Sequence, residues 1–503
     1  MTAIGDFTLN RKNGWLIILV LCVGSILRLW GLGEAGFNSD EAVYAGQAAV
    51  LSGHEQLREH FSIFRAHPLL FQFIVSNVYS FSFGDVQARV VSVIFSIATI
   101  FATYLLGSLV CSRNTGLVAS SLLALMPYSV IVSRQAILDV PLTFFSVISI
   151  FFLARFLTEN GQRWLHLAGV SIGLATLSKE VGILLLPVVL IATVWARMLS
   201  LRNLCISFAL FAVTVLPYPV SMLLNQPFSI SNSYFLWQLS RPPNHLPTYF
   251  LDILIQYAGY LFLAVAAIGA LFLIRRRNRV ASVLLLGLFI PLGFLQLWPV
   301  KLFPYLLPII PVLSVLAGYG FTCLQKRSYR FRVLGLALAI LILSFFAYSS
   351  TSAVLFGTNP WENLTGEDVE VASFAGAREA SLWIRDNTPE KAVFLTIGPS
   401  MANIIRFYSY RQAFALSVSS DAMRRNPAYA SIINPDLALR NGFFNYVVID
   451  KYSSQRTSHY AEMMENYVLT FNCTLVHETQ ASYSMMNRSQ NNEVSVWIYQ
   501  VSK

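Results

Sequence analysis

An apolar run, WLIILVLCVGSILRLW at residues 15–30, is followed after five residues by the stretch GFNSDEAVYA at residues 36–45. The first stretch approaches the ~20 residues that a helix needs to cross a bilayer. The second contains the acidic pair Asp40-Glu41, just past the end of that helix. Arg11-Lys12 precede the run and no small-residue cleavage site follows it, so we predict a permanent first span with a cytoplasmic N-terminus.

The composition of the whole chain indicates the same class of protein. Of the 503 residues, 55% are hydrophobic and 12% are charged, against about 45–50% apolar and about 25% charged in soluble domains. So few charges cannot cover the surface of a soluble enzyme, and long apolar runs exclude a disordered chain, a coiled coil and a collagen-like fibre. The five cysteines show no CxxC or Cys/His spacing, which gives no support to a disulfide framework or a zinc site.

Apolar stretches of nearly membrane-spanning length recur along the first 350 residues. We predict a polytopic α-helical membrane protein with about 11 transmembrane helices, at about 14–32, 89–110, 115–133, 140–157, 164–179, 181–198, 203–223, 251–274, 280–298, 303–323 and 332–350. The stretch 69–83 is apolar but short, and we expect it to lie in the headgroup layer. With 69–83 on the outer face, 15 of the 23 basic residues before residue 355 fall on the cytoplasmic side, as the positive-inside rule requires.

The character of the chain changes near residue 354. The remainder holds 12 basic and 14 acidic residues, and short β-rich runs alternate there with helical patterns: 379–386, 392–397, 446–450, 460–467 and 494–501. We predict a membrane domain over residues 1–353, with a first outer loop over about 33–88, and a small extracytoplasmic α/β domain over 354–503. The basic membrane part favours contacts with anionic membrane lipids, and no Lys/Arg cluster typical of nucleic-acid binding is present.

Carboxylates are concentrated on the predicted outer side, where nine of the 11 acidic residues of the membrane part fall. A carboxylate at membrane level is costly and therefore indicates a function. The strongest candidates are Asp40 and Glu41, together with Asp139, which begins the fourth predicted span in RQAILDVPL (residues 134–142). An alternative is that Asp40 and Asp139 are helix N-caps, a common role for aspartate that does not exclude catalysis.

Cations occupy the same predicted side of the membrane. Most of them need no special role, because Arg and Lys side chains at the headgroup layer usually reach lipid phosphates. Lys301 is a more specific signal, since it lies in WPVKLFPYLLP at residues 298–308. Prolines there interrupt the helix and leave polar backbone available to line a cavity.

The order of these elements resembles the GT-C class of integral-membrane glycosyltransferases, and specifically the protein O-mannosyltransferase/aminoarabinose transferase superfamily. The matching features are RLWGL at 28–32, Asp40-Glu41-Ala42, FRAHPLL at 64–70, Arg134 with Asp139, LSKE at 177–180, and residues 301–311. The resemblance covers about residues 14–350. It implies a GT-C fold and the transfer of a sugar from a polyprenyl-phosphate carrier to an acceptor on the non-cytoplasmic side.

The resemblance also implies roles for individual residues. Asp40 matches the catalytic aspartate, Glu41 its partner and Asp139 the second acidic position. His67 stands where aminoarabinose transferases have a phosphate-binding lysine, and Ala66 replaces the preceding glutamate, which argues against lipid A aminoarabinosylation and against a metal site of that type. No cofactor is implied with certainty; a divalent cation on Asp40, Glu41 and Asp139 stays open.

The chemistry of such a transfer agrees with these residue types. An attacking hydroxyl needs a base, and a carboxylate can serve; a leaving lipid phosphate needs fixed cations. The candidates for binding the phosphate or the donor are Arg65, His67, Arg134, Lys301 and Tyr305.

We therefore predict a cell-membrane glycosyltransferase that moves a hexosyl or pentosyl group from undecaprenyl or dolichyl phosphate to a hydroxyl of a protein, lipid or glycan. No nucleotide-binding fold or glycine-rich phosphate loop is visible in the sequence. The alternative is a transporter or flippase for lipid-linked sugars, which predicts duplicated halves and charges buried in mid-span. A third hypothesis, a membrane anchor that displays the C-terminal region to a partner, leaves the large first outer loop unexplained.

Overall fold

The computed structural model describes residues 14–63, 67–198, 200–225, 237–276, 279–356, 375–421, 424–480 and 494–502. Helices make up the chain as far as residue 356, and a five-stranded sheet follows from residue 393. The predicted fold class, a helical membrane protein with a small α/β region at its C-terminal end, is confirmed.

Each of the predicted spans coincides with a helix or with two consecutive helices. The α-helices before residue 357 are Gly14–Leu29, Ser39–Leu51, Leu70–Tyr79, Asp85–Val110, Arg113–Leu125, Pro127–Ser133, Asp139–Glu159, Gln162–Ser178, Leu185–Trp195, Leu201–Val215, Pro217–Asn225, Tyr249–Arg275, Arg279–Leu297, Ile310–Gln325 and Tyr329–Phe356. Short 3-10 helices occur at Glu55–Leu57, Glu180–Leu184 and Phe303–Ile309.

Length and composition qualify part of this set as membrane spans. Among the described residues, six helices are long and apolar enough to cross a bilayer, or up to eight if each of two bent pairs forms one span. The other predicted spans correspond to shorter helices such as Gly14–Leu29. The direction in which each span crosses the membrane stays a prediction.

One of the bent pairs has a clear local cause. Arg113–Leu125 and Pro127–Ser133 meet at an angle of 61°. Met126, between them, has an extended backbone with ψ 123°, because the ring of a following proline disfavours the helical conformation of the residue before it. The bend turns the chain toward Arg134 and Asp139.

The helix Leu70–Tyr79 has only ten residues, which is too short to cross a bilayer. Phe71, Val75 and Tyr79, spaced four residues apart on one face, are buried, whereas Phe73 is 61% exposed. This two-sided pattern agrees with the prediction that the stretch 69–83 does not cross the membrane.

The C-terminal sheet has strands β1 (Val393–Thr396), β2 (Gln412–Ala415), β3 (Tyr446–Asp450), β4 (Thr474–Gln480) and β5 (Val494–Gln500), in the order β2-β1-β3-β5-β4. The first three of these in chain order are mutually parallel, and β5 pairs in antiparallel orientation with β3 on one side and with β4 on the other. Helices of this region are Ala377–Asn387, Pro399–Ser409, Pro435–Arg440, Lys451–Arg456 and Ser458–Thr470. Loops at the carboxyl ends of parallel strands commonly line ligand sites.

The sheet region shares a hydrophobic core with the segment that links the first two long apolar helices. Phe37 and Phe83 of that segment contact Phe407 of the helix Pro399–Ser409, with ring centroids 5.1 and 5.7 Å apart. Phe61 and Met401 are fully buried in the same cluster. The first loop and the sheet region therefore pack as one body.

Candidate active site

A cavity of about 910 Å³ lies where the first loop, the ends of several apolar helices and the sheet region meet. Four of the predicted site residues line it, namely Asp40, His67, Asp139 and Tyr305. Each of them is placed by a different element, so the cavity exists only in the folded assembly of these elements.

Asp40 lies in the first turn of the helix Ser39–Leu51 and is exposed to the cavity. The N-cap of that helix is Asn38, not Asp40: the Asn38 side chain accepts a hydrogen bond from the Glu41 backbone N–H at 3.0 Å, and Glu41 accepts one from the Asn38 N–H at 3.1 Å. This capping box fixes the first turn. The side chain of Asp40 is therefore not needed as the helix cap.

Glu41 points in the opposite direction, into the interior. Its carboxylate accepts hydrogen bonds from Arg89 Nε at 2.7 Å and Nη2 at 2.8 Å, and from the Ala136 N–H at 2.8 Å. Arg89 is fully buried and Glu41 is 1% exposed. The guanidinium also donates to the carbonyls of Leu32, Ala35 and Gly36. This pair fastens the start of the first loop to the helix Asp85–Val110.

The sheet region holds the same loop from the other side. The Tyr408 hydroxyl accepts a hydrogen bond from the Phe37 N–H at 2.8 Å and donates to Asp85 at 2.7 Å. Burial and the Asp85 carboxylate raise the pKa of Tyr408 well above its usual value, which keeps its hydroxyl a donor. Arg378 donates to the carbonyls of Gly33 at 2.8 Å and Glu34 at 2.7 Å. Together with Arg89, these contacts fix the chain that leads to Asp40.

Asp139 lies at the first position of the helix Asp139–Glu159, whose N-cap is Leu138. Both of its oxygens accept hydrogen bonds from Lys179 Nζ, at 2.8 and 2.9 Å. Lys179 has an extended backbone at the break between Gln162–Ser178 and Glu180–Leu184, and its Nζ lies 4.1 Å from the centroid of the Tyr305 ring. Asp139, Lys179 and Tyr305 all line the cavity, so this pair is accessible to a ligand.

His67 is joined to the residue after Lys179. Its Nδ1 lies 2.8 Å from Glu180 Oε1, and the ring also contacts Tyr44 edge to face at 6.4 Å between centroids. The bond fixes the orientation of the imidazole, which lines the cavity. Its neighbour Arg65, predicted to bind phosphate, lies outside the described residues.

The side chains of Arg134 and Lys301 donate to backbone carbonyls at the ends of helices. Arg134 donates to the carbonyls of Leu27 at 3.0 Å and Trp30 at 2.6 Å, at the end of the first helix, where carbonyls have no helical partner. Lys301 is 5% exposed; its backbone N–H donates to Asn244 at 2.8 Å and its Nζ to the Trp298 carbonyl at 3.3 Å. Neither is among the described residues that line the cavity, so the structure does not bring them together with Asp40.

Two cavity-lining cations of the helical part of the chain, Lys179 and Arg241, were not among the predicted site residues. Lys179 had a visible signal, since it lies in the matching stretch LSKE. Arg241 had none, because nothing in its local sequence separates it from the other cations of the outer side. In the structure its guanidinium lies 4.9 Å from the centroid of the Trp237 ring, and both side chains line the cavity.

A divalent cation on Asp40, Glu41 and Asp139 does not fit the geometry. The oxygens of Glu41 are bonded to Arg89 and those of Asp139 to Lys179. Within the described ranges, no group of three or more His, Cys, Asp or Glu side chains is arranged to hold a metal ion.

Comparisons with known proteins agree with this architecture. Residues 66–222 match the sequence model of a family described as dolichyl-phosphate-mannose-protein mannosyltransferase. No protein of curated function matches the chain in sequence.

Solved structures match over nearly the whole chain. ArnT from Cupriavidus metallidurans bound to undecaprenyl phosphate aligns with a TM-score of 0.68 at 16% identity, over 97% of this chain and 98% of that one. The Archaeoglobus fulgidus oligosaccharyltransferase tethered to an acceptor peptide aligns with a TM-score of 0.63 at 13% identity, over 98% and 74%. The archaeal oligosaccharyltransferase AglB from Archaeoglobus fulgidus, in complex with an inhibitory peptide and a dolichol-phosphate, aligns with a TM-score of 0.60 at 13% identity, over 96% of this chain and 75% of that one.

The fold is therefore that of the GT-C membrane glycosyltransferases, and the resemblance inferred from the sequence is confirmed. The family match covers the part of the chain that carries His67, Asp139 and Lys179, which are three of the residues that line the cavity.

Proposed function

We propose that this protein transfers a sugar from a polyprenyl-phosphate carrier to a hydroxyl acceptor in the cavity beside Asp40. The observation that carries this proposal is the convergence, on one cavity, of an exposed carboxylate with two oriented side chains, the Lys179 ammonium and the His67 imidazole. The proposal is supported by the similar fold of proteins solved with undecaprenyl phosphate and with a dolichol-phosphate.

Asp40 is the general base of the proposed reaction. One of its oxygens takes the proton of the acceptor hydroxyl while the acceptor oxygen bonds to the anomeric carbon of the sugar. The bond between that carbon and the phosphate oxygen breaks at the same centre, and the lipid phosphate leaves. Asp40 suits this role because it is exposed to the cavity while the backbone around it is fixed by Asn38 and Glu41.

The leaving phosphate gains negative charge, which Lys179, His67 and Arg241 stabilise from the walls of the cavity. Asp139 is a positioning residue, because it holds the Lys179 ammonium with both of its oxygens. Tyr305 covers that ammonium with its ring. A charge held in place before the reaction needs no reorganisation when the phosphate leaves.

The remaining predicted residues act indirectly in this scheme. Glu41 positions Asp40 through Arg89 and is not the base, since both of its oxygens are bonded to Arg89 in the interior and it is not among the described residues that line the cavity. Arg134 and Lys301 shape the ends of the helices around the cavity. We place the protein in the cell membrane as a multi-pass protein, with the N-terminus cytoplasmic and the sheet region outside.

The test of this proposal uses purified full-length protein and undecaprenyl-phosphate sugars labelled in the sugar. We expect Asp40→Asn to lower transfer of the label by roughly 10²–10⁴-fold without loss of thermal stability. Asp252→Asn is the matched control, because Asp252 is also an exposed carboxylate in the first turn of a long helix but does not line the cavity.

Two results would contradict the proposal. Equal rates in the Asp40→Asn and wild-type proteins would remove Asp40 as the base. Transfer from a nucleotide sugar in the absence of any lipid-linked donor would remove the donor class.

A further inference from the structure

The wall of the cavity formed by the sheet region is strongly cationic. Four arginines of this region line the cavity: Arg406, Arg424, Arg425 and Arg456. No carboxylate of the described residues after 374 lines it, although that stretch contains several acidic side chains elsewhere. We refer to these four residues as the arginine wall.

The arginine wall is built from loops and helices that follow the parallel strands. Arg424 and Arg425 lie in the loop after β2, and Arg456 ends the helix after β3. Arg424 is 82% exposed, and its closest acidic partner, Asp421, lies 3.7 Å away. Arg425 donates to the Ser431 hydroxyl, and Arg456 stacks on Tyr452 at 5.1 Å. Arg424 and Arg425 are thus held by a long ion pair and by a neutral hydroxyl, respectively.

The carboxylates that line the cavity come from other parts of the chain. Asp40, Glu59 and Asp139 belong to the first loop and to the apolar helices. The lipid chain of a polyprenyl-phosphate donor must stay beside those apolar helices, so its phosphate is within reach of the cations that they carry, Lys179 among them. The arginine wall therefore remains available for the second substrate.

We propose, building on the transferase function above, that the acceptor carries an anionic group, a phosphate or a carboxylate, which the arginine wall binds while its hydroxyl faces Asp40. No carboxylate of the described residues after 374 lines the cavity beside these arginines, so their positive charge attracts an anion. Planar guanidinium groups suit this task because each can donate two parallel hydrogen bonds to a phosphate or carboxylate.

The arginine wall is connected to the proposed base through one buried amide. Asn403 Nδ2 donates to the Ser39 hydroxyl at 3.1 Å and to the Tyr429 hydroxyl at 2.9 Å. Ser39 precedes Asp40 in the chain, and Tyr429 follows the loop of Arg424 and Arg425 and lines the cavity. The acceptor-binding loop and the base are thereby held in a fixed relation.

The test measures binding without turnover, so it does not depend on knowing the sugar donor. Glucose 6-phosphate, glucuronate and glucose are titrated against the purified full-length protein, and undecaprenyl phosphate is titrated separately. We expect one or both anionic probes to bind and glucose not to bind. The double variant Arg424→Gln/Arg425→Gln should weaken anion binding at least about tenfold and leave binding of undecaprenyl phosphate unchanged.

Arg440→Gln is the matched control, since Arg440 is exposed and paired with Asp436 at 3.5 Å but does not line the cavity. Anion binding that is equal in the double variant and the wild type overturns the proposal. Loss of undecaprenyl phosphate binding in the double variant also overturns it, because the arginines would then serve the donor. Failure of the wild type to bind undecaprenyl phosphate contradicts the proposed donor class. The comparison of anion binding between the wild type and the double variant still tests the arginine wall in that case.

Discussion

Two carboxylate–cation pairs near the start of helices have similar chemistry and different surroundings. Glu41–Arg89 lies in the interior, where both side chains are at most 1% exposed, and Arg89 also binds three backbone carbonyls. Asp139–Lys179 has equally short bonds but forms part of the cavity wall beside Tyr305. The first pair can only serve the fold, whereas the second can meet a ligand. Distance and partner type alone do not distinguish a structural ion pair from a functional one. Whether a ligand in the cavity can reach the pair does distinguish them.

The largest effect on stability is expected at the interior pair. Arg89→Met leaves the Glu41 carboxylate buried without its cation and frees three carbonyls, so the free energy of unfolding should fall by about 3–5 kcal/mol. Thermal unfolding in detergent measures this. Arg58→Met is the control, because the Arg58–Glu55 pair is of the same type but about 70% exposed, and its loss should cost less than about 1 kcal/mol. Equal losses in the two variants would contradict the interior role.

A substitution in the Asp139–Lys179 pair should change the rate of sugar transfer more than it changes the stability of the protein. Lys179→Met removes a charge that stabilises the leaving phosphate, so kcat should fall by roughly 10²–10³-fold. Unfolding should change less than in Arg89→Met, since water in the cavity can solvate Asp139. Lys301→Met removes a buried lysine that does not line the cavity, and its kcat should stay within a few-fold of the wild type. A Lys179→Met protein with normal kcat and a large loss of stability would mean that the Asp139–Lys179 pair serves the fold and not the reaction.

Substitution of Arg134 tests whether this cation binds the donor phosphate or only stabilises the end of the first helix. Arg134→Gln removes hydrogen bonds to the carbonyls that end the first helix, which should cost about 1–3 kcal/mol of unfolding free energy. The KM for the lipid donor should not change. Arg241→Gln, at the cavity wall, should do the opposite, raising the donor KM with little effect on unfolding. A raised donor KM in Arg134→Gln would instead support the phosphate-binding role predicted from the sequence.

The smallest effect is expected at Asp450, a buried carboxylate without a cation. Its Oδ1 accepts a hydrogen bond from the Ser453 N–H at 2.7 Å, and no partner of Oδ2 occurs in the described part of the chain. Burial raises the pKa of Asp450 to about 6 from an ordinary value of 3.8. The folded state therefore binds this proton more tightly, and the stability that it contributes is lost as the pH rises through about 6.

We expect Asp450→Asn, which still caps the following helix, to raise the melting temperature by roughly 2–4 °C at pH 8 and not at pH 4. Scanning calorimetry at the two pH values measures this. Asp436→Asn, about half-exposed, should show no such pH dependence. A lower melting temperature for Asp450→Asn at pH 8 would mean that the charged carboxylate is stabilised by a partner.

The helices were largely predictable from the sequence, because an apolar run of sufficient length has few other possible structures. The three predicted β-runs also became strands. Strands β2 and β4 were missed; β2 has only four residues, which carry too little pattern. The helix Pro399–Ser409 was also missed, because its buried Asn403 and Arg406 hide its apolar face.

The candidate site was predictable as a set of residue types but not as a geometry. Asp139 was found together with its matching stretch, and Lys179 was visible in another stretch 40 residues away. The inward turn of Glu41 depends on Arg89, 48 residues later, and nothing in the local sequence marks it. Arg134 and Lys301 carry the right charge in the right part of the chain, but unpaired carbonyls of neighbouring helix ends compete for them.

The side chains of Arg89, Arg378 and Tyr408 form hydrogen bonds with the backbone of residues 33–37. This set of contacts, which we call the clamp, has a consequence for biosynthesis. Two of its side chains, Arg378 and Tyr408, lie more than 340 and 370 residues after the backbone groups that they bind. During synthesis, the chain that leads to Asp40 emerges long before these partners exist. It reaches its final hydrogen bonding only after the sheet region has been made and has docked. A nascent or truncated chain that ends near residue 356 would carry these apolar helices and still lack the contacts of Arg378 and Tyr408.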